Sequence, residues 1–196
     1  MPSCLRQLTT VLFISSILNA AATALYVDFN STSPTPPYTN WITAATNIQD
    51  AVDAANPGDL VLVTNGTYHV GGARVGGSVT NRVALTKPLM LRSVNGPGAT
   101  IILGNSPPPF STSNYVRCAY LAAGATLDGF TLTNGDAFGL SAFVPDQNGG
   151  GVWCESTGAI ISNCVLTGNS AVLGGGVYGG TLTVVFLWLT HVPTAA

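Results

Sequence analysis

Gly124-Ala-Thr-Leu-Asp-Gly-Phe-Thr-Leu-Thr-Asn-Gly135 aligns without a gap on Gly158-Ala-Ile-Ile-Ser-Asn-Cys-Val-Leu-Thr-Gly-Asn169. In that alignment Leu127 falls on Ile161, Phe130 on Cys164 and Leu132 on Leu166. A second element recurs beside it: Gly149-Gly-Gly-Val-Trp153 returns as Gly174-Gly-Gly-Val-Tyr178, and Leu182 follows Ile161 at a similar spacing. Short apolar stretches punctuated by Gly and Asn, with a period of roughly 21 to 25 residues, suit a solenoid in which each turn stacks like residues on like. A jelly roll or sandwich of hairpins is the competing arrangement. It needs tight turns between antiparallel neighbours and gives no reason for the same residue to return once per turn. The repeat therefore predicts an all-β, parallel solenoid, with Leu127, Ile161 and Leu182 on one inward ladder and Phe130 with Cys164 on another.

Upstream of the repeat, Leu25-Tyr-Val-Asp-Phe-Asn30 alternates as a short strand does, and the Pro/Ser/Thr-rich run from Ser31 to Tyr38 reads as a loop. Thr46-Asn-Ile-Gln49 has capping-box spacing. Ile48, Ala51, Val52 and Ala55 then fall at i, i+3, i+4 and i+7 before Asn56-Pro-Gly58 stops the run, so a short amphipathic helix is expected. Further strands are expected at Asp59 to Thr64, Arg82 to Thr86, Leu89 to Ser93 and Ala99 to Leu103. Pro88 lacks a ladder donor and is placed at a corner.

Three segments carry a resemblance to a known family. They are Ile48-Gln-Asp-Ala-Val-Asp-Ala-Ala-Asn-Pro-Gly-Asp59 with Val63-Thr-Asn-Gly-Thr-Tyr68, then Leu91-Arg-Ser-Val-Asn-Gly96, then Ile161 to Asn169 leading into Gly174-Gly-Gly-Val177. Over about 48–183 the chain resembles right-handed parallel β-helix proteins of the pectin-lyase-like superfamily. Within them it is most similar to the Gly-Gly-Gly and Gly-Asn repeat subset of polymorphic outer-membrane-type and autotransporter-type surface proteins. The resemblance implies a right-handed parallel β-helix whose first turn is covered by a short N-terminal capping α-helix. That cover hides strand edges that otherwise invite pairing with other chains. It implies little about activity, because this fold carries lyases, hydrolases and adhesins alike.

Composition bounds the rest. The chain has 196 residues, 46% of them hydrophobic, enough for one domain with a sizeable core. Charged residues make up only 7%, against roughly 25% in an average soluble domain, so the surface must rely on neutral polar groups. Residues 1–24 read as a secretory signal, with Arg6 as the positive end, Leu8 to Leu18 as the apolar stretch, and cleavage expected after Ala22-Thr23-Ala24. The apolar stretch is below the ~20 residues of a spanning helix. The expected organisation is a signal over 1–24, a strand, loop and capping helix over 25–58, β-helix turns over 59–183, and an anomalous tail over 184–196. Beyond the signal, Arg74, Arg82, Lys87, Arg92 and Arg117 face eight acidic side chains, a net charge of −3 with no basic patch for nucleic acid.

Candidate chemistry is sparse. Asp128, Asp136, Asp146 and Glu155 form no paired carboxylate cluster of the kind a glycosidase or calcium-dependent lyase uses. His69 and His191 have no partner in sequence. Cys118, Cys154 and Cys164 lack metal-ligand spacing and read either as one disulfide plus a thiol or as three buried thiols. The glycine clusters lack the strand, spacing and helix of a nucleotide loop and fit solenoid corners better. No catalytic residue, cofactor or metal site is assigned. Asn30-Ser-Thr and Asn65-Gly-Thr are formal glycosylation sequons.

Tyr120, Trp153 and Tyr178 are expected to be exposed along the turns, as a ridge for sugar stacking or protein contact, or else to cover glycine-rich corners. The sequence reading is thus a secreted or cell-surface β-helix scaffold, adhesin-like, with glycans or surface proteins as partners. The competing reading is the N-terminal part of a polysaccharide lyase or glycoside hydrolase. The repeat also predicts that Gly180-Thr-Leu-Thr183 continues with Asn and Gly. The sequence instead reads Val184-Val-Phe-Leu-Trp-Leu-Thr190, the kind of break a shifted reading frame or an early end would produce.

Overall fold

The computed structural model describes residues 21–107, 115–138 and 144–187, and within 144–187 leaves the side chains of 144 and 145 undescribed. Most of the expected signal segment, Trp188 and His191 lie outside these residues. Strand β1 (Ala24–Val27) and helix α1 (Ile48–Ala54) precede the first full turn, which consists of β2 (Leu60–Val63), β3 (Gly66–Tyr68) and a hairpin of β4 (Ala73–Arg74) with β5 (Thr80–Leu85). The second turn is β6 (Met90–Ser93), β7 (Thr100–Leu103) and β8 (Val116–Leu121). The third is β9 (Thr126–Asp128), β10 (Thr131–Thr133), β11 (Asp136–Ala137) and β12 (Val152–Cys154). The fourth is β13 (Ile160–Ser162), β14 (Val165–Thr167), β15 (Ser170–Ala171) and β16 (Val177–Tyr178), after which β17 (Thr181–Thr183) and β18 (Phe186–Leu187) start another.

These strands stack into three main sheets, in the orders β1-β2-β6-β9-β13-β17, β3-β7-β10-β14-β18 and β4-β5-β8-β12-β16, with a small β11-β15 pair between the last two. Among the described residues every strand pairing is parallel except the β4–β5 hairpin, and the isolated Asn105–Val116 bridge is antiparallel. The molecule is a parallel β-solenoid of about four turns, and the hairpin sandwich is not what this chain forms.

The expected register is found. Leu25, Val61, Leu91, Leu127, Ile161 and Leu182 are successive rungs of the first sheet. The first five are buried, each worth about 1.5–3 kcal/mol of apolar transfer. Leu182 is 44% exposed, because the last described turn has a neighbour on one side only. Phe130 and Cys164 are both fully buried, and Val185 packs against the same core.

The expected turn length needs correction. From Val61 to Leu91, from Leu91 to Leu127 and from Leu127 to Ile161 the chain takes a longer path than from Ile161 to Leu182, so the short period belongs to the last turn alone. The extra residues leave between the second and third sheets: the β4–β5 hairpin, the segment closed by the Asn105–Val116 bridge, and the segment ending in the 3₁₀ turn Val144–Gln147. Register is fixed by strand side chains facing the core, and a corner loop can lengthen without disturbing it.

Two local features also differ in detail. The helix begins one residue later than the capping-box reading, with Asn47 as N-cap accepting from Asp50 N at 3.0 Å. Gln49, freed from that role, is buried and accepts from Ala84 N at 2.8 Å, which ties the helix to β5. Ile48, Ala51 and Val52 pack into the core beside β1, β2 and β5, so the helix covers the first turn as expected. Among the described residues no helix is long and apolar enough to cross a membrane.

Candidate functional site

The third sheet carries the candidate site. Tyr120, Trp153 and Tyr178 are in direct register on β8, β12 and β16, one aromatic per turn. Residues spaced irregularly in sequence become neighbours because a solenoid repeats the same outward position at each turn. The expected ridge is therefore brought together, with one correction. Tyr120 is only 4% exposed, lying with Ala84 and Ala122 beneath Ala73, Val75 and Trp153, because the inserted β4 hairpin and its following loop cover this end of the ladder. Burial and the Glu155 carboxylate push its phenol up to about 12. Trp153 is half-buried and Tyr178 is 39% exposed, so the accessible part of the ridge is its later half.

Trp153 is held from two directions. The Tyr120 ring lies 5.1 Å from it at 51°, and the Arg117 guanidinium carbon lies 5.5 Å from its ring centroid. Arg117 is itself buried, donating through Nη1 to Asn81 Oδ1 at 2.7 Å, through Nη2 to Asn148 O at 2.8 Å and through Nε to Gly149 O at 2.8 Å. Burial lowers its pKa to about 10, and the charge of Asp146 opposes that shift, so the group stays cationic at neutral pH. Asp146 in turn accepts from Ser78 N, Ser78 Oγ and Val79 N, pinning the 3₁₀ turn onto the segment before β5. Sequence reasoning missed both Arg117 and β8. The apolar run Val116 to Ala122, interrupted by one arginine, was the available signal.

At the corner between the second and third sheets, where the inserted loops leave the solenoid, His69, Thr80, Arg82, Asn105 and Asn134 line a pocket of about 540 Å³. Arg82 bridges the corner, donating to Leu103 O at 2.9 Å and Gly71 O at 2.8 Å, and burial lowers its pKa. His69 sits at the rim with its Nδ1 3.1 Å from Thr67 O and its ring 5.9 Å from Phe29.

The carboxylates singled out in the sequence are engaged elsewhere. Asp128 pairs with Arg92 at 2.8 Å on the neighbouring turn, and Asp136 accepts from Ser106 Oγ and Phe138 N, with burial raising its pKa. Among the described residues no group of three or more His, Cys, Asp or Glu is placed to hold a metal ion. Cys118, Cys154 and Cys164 are free and buried, which selects the three-thiol reading. Asn30 and Asn65 are both exposed, Asn65 accepting from Asn95 Nδ2 at 2.7 Å. Comparison with known proteins finds no matching family model, no matching curated protein and no matching solved structure.

Proposed function

We propose that this chain is an exported β-helix binding module whose Trp153–Tyr178 ridge stacks against the sugar rings of a neutral glycan. The observation that carries the reading is the in-register aromatic ladder: two accessible rings one strand spacing apart, about 4.8 Å, on a rigid sheet. An extended sugar chain presents flat apolar faces at regular intervals, and stacked aromatics bind such faces without catalytic acids. Tyr120 and Arg117 hold Trp153 before any ligand arrives, so little ordering entropy is lost on binding. Loops inserted on one side of a solenoid are where repeat proteins commonly place binding sites, and here they border the ridge. The similarity to Gly-Gly-Gly and Gly-Asn repeat surface proteins of the pectin-lyase-like superfamily supports the same reading, as does the leader-like 1–24 segment.

Binding of neutral and acidic oligosaccharides, followed by tryptophan fluorescence, tests the proposal. Neutral glycans should perturb the wild type and leave Trp153→Ala and Tyr178→Ala unresponsive. Equal responses in wild type and both variants, or binding only to a protein partner, would overturn it.

A further inference from the structure

Asp59 is 5% exposed, and its carboxylate takes two backbone donors: Asn56 N at 2.7 Å on Oδ2 and Thr23 N at 2.8 Å on Oδ1. Among the described residues no lysine or arginine forms an ion pair with Asp59. Both donors are neutral amides, and a cationic donor in the place of either would make a stronger, charge-assisted bond to the same carboxylate. Thr23 is the unusual member. It is exposed, its carbonyl accepts from Leu60 N at 2.9 Å, and Ala24 pairs with Leu60 in the ladder. Immediately before it the sequence reads Ala20-Ala21-Ala22, a second small-x-small motif just upstream of the one that points to Leu25.

We infer that a leader-type endopeptidase cuts between Ala22 and Thr23, and that Asp59 is the receptor for the amino terminus so created. This rests on the export reading above. Hydrolysis breaks the bond from the Ala22 carbonyl carbon to the Thr23 nitrogen. Water supplies the hydroxyl to the carbon and a proton to the nitrogen, and a further solvent proton makes the nitrogen an ammonium. The Thr23 nitrogen already stands at hydrogen-bond distance from Asp59 Oδ1, so the neutral contact becomes a charge-assisted one without moving an atom of the first rung. Cutting at Leu25 instead removes the Thr23 donor to Asp59, the acceptor for Leu60 N and the Ala24 rung.

The experiment expresses the full chain in a secreting bacterial host and reads the amino terminus of the exported protein. The expected terminus is Thr23. Ala24→Gln should leave that product intact because it lies after the cut, whereas Ala20→Gln should abolish it. A terminus at Leu25, with the opposite response to the two variants, overturns the processing site and leaves export standing. Full-length chain retained in the cell overturns both. A second reading uses the exported protein itself. Pairing with Asp59 raises the amine above its usual pKa of about 8, so its stabilisation is complete below that pH and lost as pH rises through the raised value. Acetylating the α-amine should lower the urea midpoint at pH 7, and the difference from the unmodified protein should vanish at high pH. Equal midpoints at pH 7 would refute the ion pair.

Discussion

The side chain of Asn169 is spliced into the backbone of the preceding turn at Gly135. Its Oδ1 accepts from Gly135 N at 2.8 Å while its Nδ2 donates to Leu132 O at 3.0 Å, and the residue is fully buried. A Cβ at position 135 would run into Gly150 O and Cys118 Sγ, so the site takes glycine alone. Asn169→Leu leaves the Gly135 N–H buried without its acceptor and should cost about 1–3 kcal/mol, read as a lower urea midpoint. A midpoint equal to wild type would show that the backbone relaxes to another partner.

Ile161 and Ser162 are adjacent but face opposite sides of the sheet. Ile161→Asp puts an unpaired carboxylate in the core and should destabilise by several kcal/mol, whereas Ser162→Lys should stay within about 0.5 kcal/mol. Comparable losses in the two variants would contradict the register.

Val184 stands at φ 50°, at the corner where the two preceding turns place Gly129 at φ 84° and Asn163 at φ 54°. A β-branched residue is poorly suited to that left-handed region, at a cost of about 1–2 kcal/mol. Val184→Gly should therefore raise the melting temperature, and a lowered one would mean that the valine side chain contributes packing outweighing the strain.

Burial pushes the thiols of Cys118 and Cys154 up to about 12 and that of Cys164 up to about 11. All three should be inert to a thiolate-selective reagent at pH 8 and react only as fast as the protein unfolds. The linkage runs downward with pH. Above about 8.5 the unfolded thiols release protons that the folded ones keep, so stability falls from there toward the folded values. Rapid labelling of the native protein would show that the thiols are accessible.

Tyr120 and Tyr178 occupy one ladder yet should answer differently. Tyr120→Ala removes a buried ring under Trp153 and should cost about 3 kcal/mol of stability, while Tyr178→Ala should leave the melting temperature nearly unchanged and abolish the fluorescence response to glycan. A stability loss in Tyr178→Ala equal to that in Tyr120→Ala would show that both are core residues.

The solenoid, its inward ladders and the helix over its first turn are legible in the sequence. Each rests on residues that recur at one position per turn or at i, i+3 and i+4 within a few residues, so the pattern is local enough to read directly. Leu127 over Ile161 and Phe130 over Cys164 are legible because stacking like on like leaves matching traces in the chain. Turn length, the burial of Tyr120, the position of Arg117 and the partners of Asp59 were decided only by tertiary structure. Each depends on an insertion or a contact between segments far apart in the chain: the β4 hairpin covers Tyr120, the turn ending at Asn148 receives Arg117, and Thr23 reaches Asp59 across the first rung. A corner loop leaves no period in the sequence, since its length is free as long as the strands it joins keep their rungs.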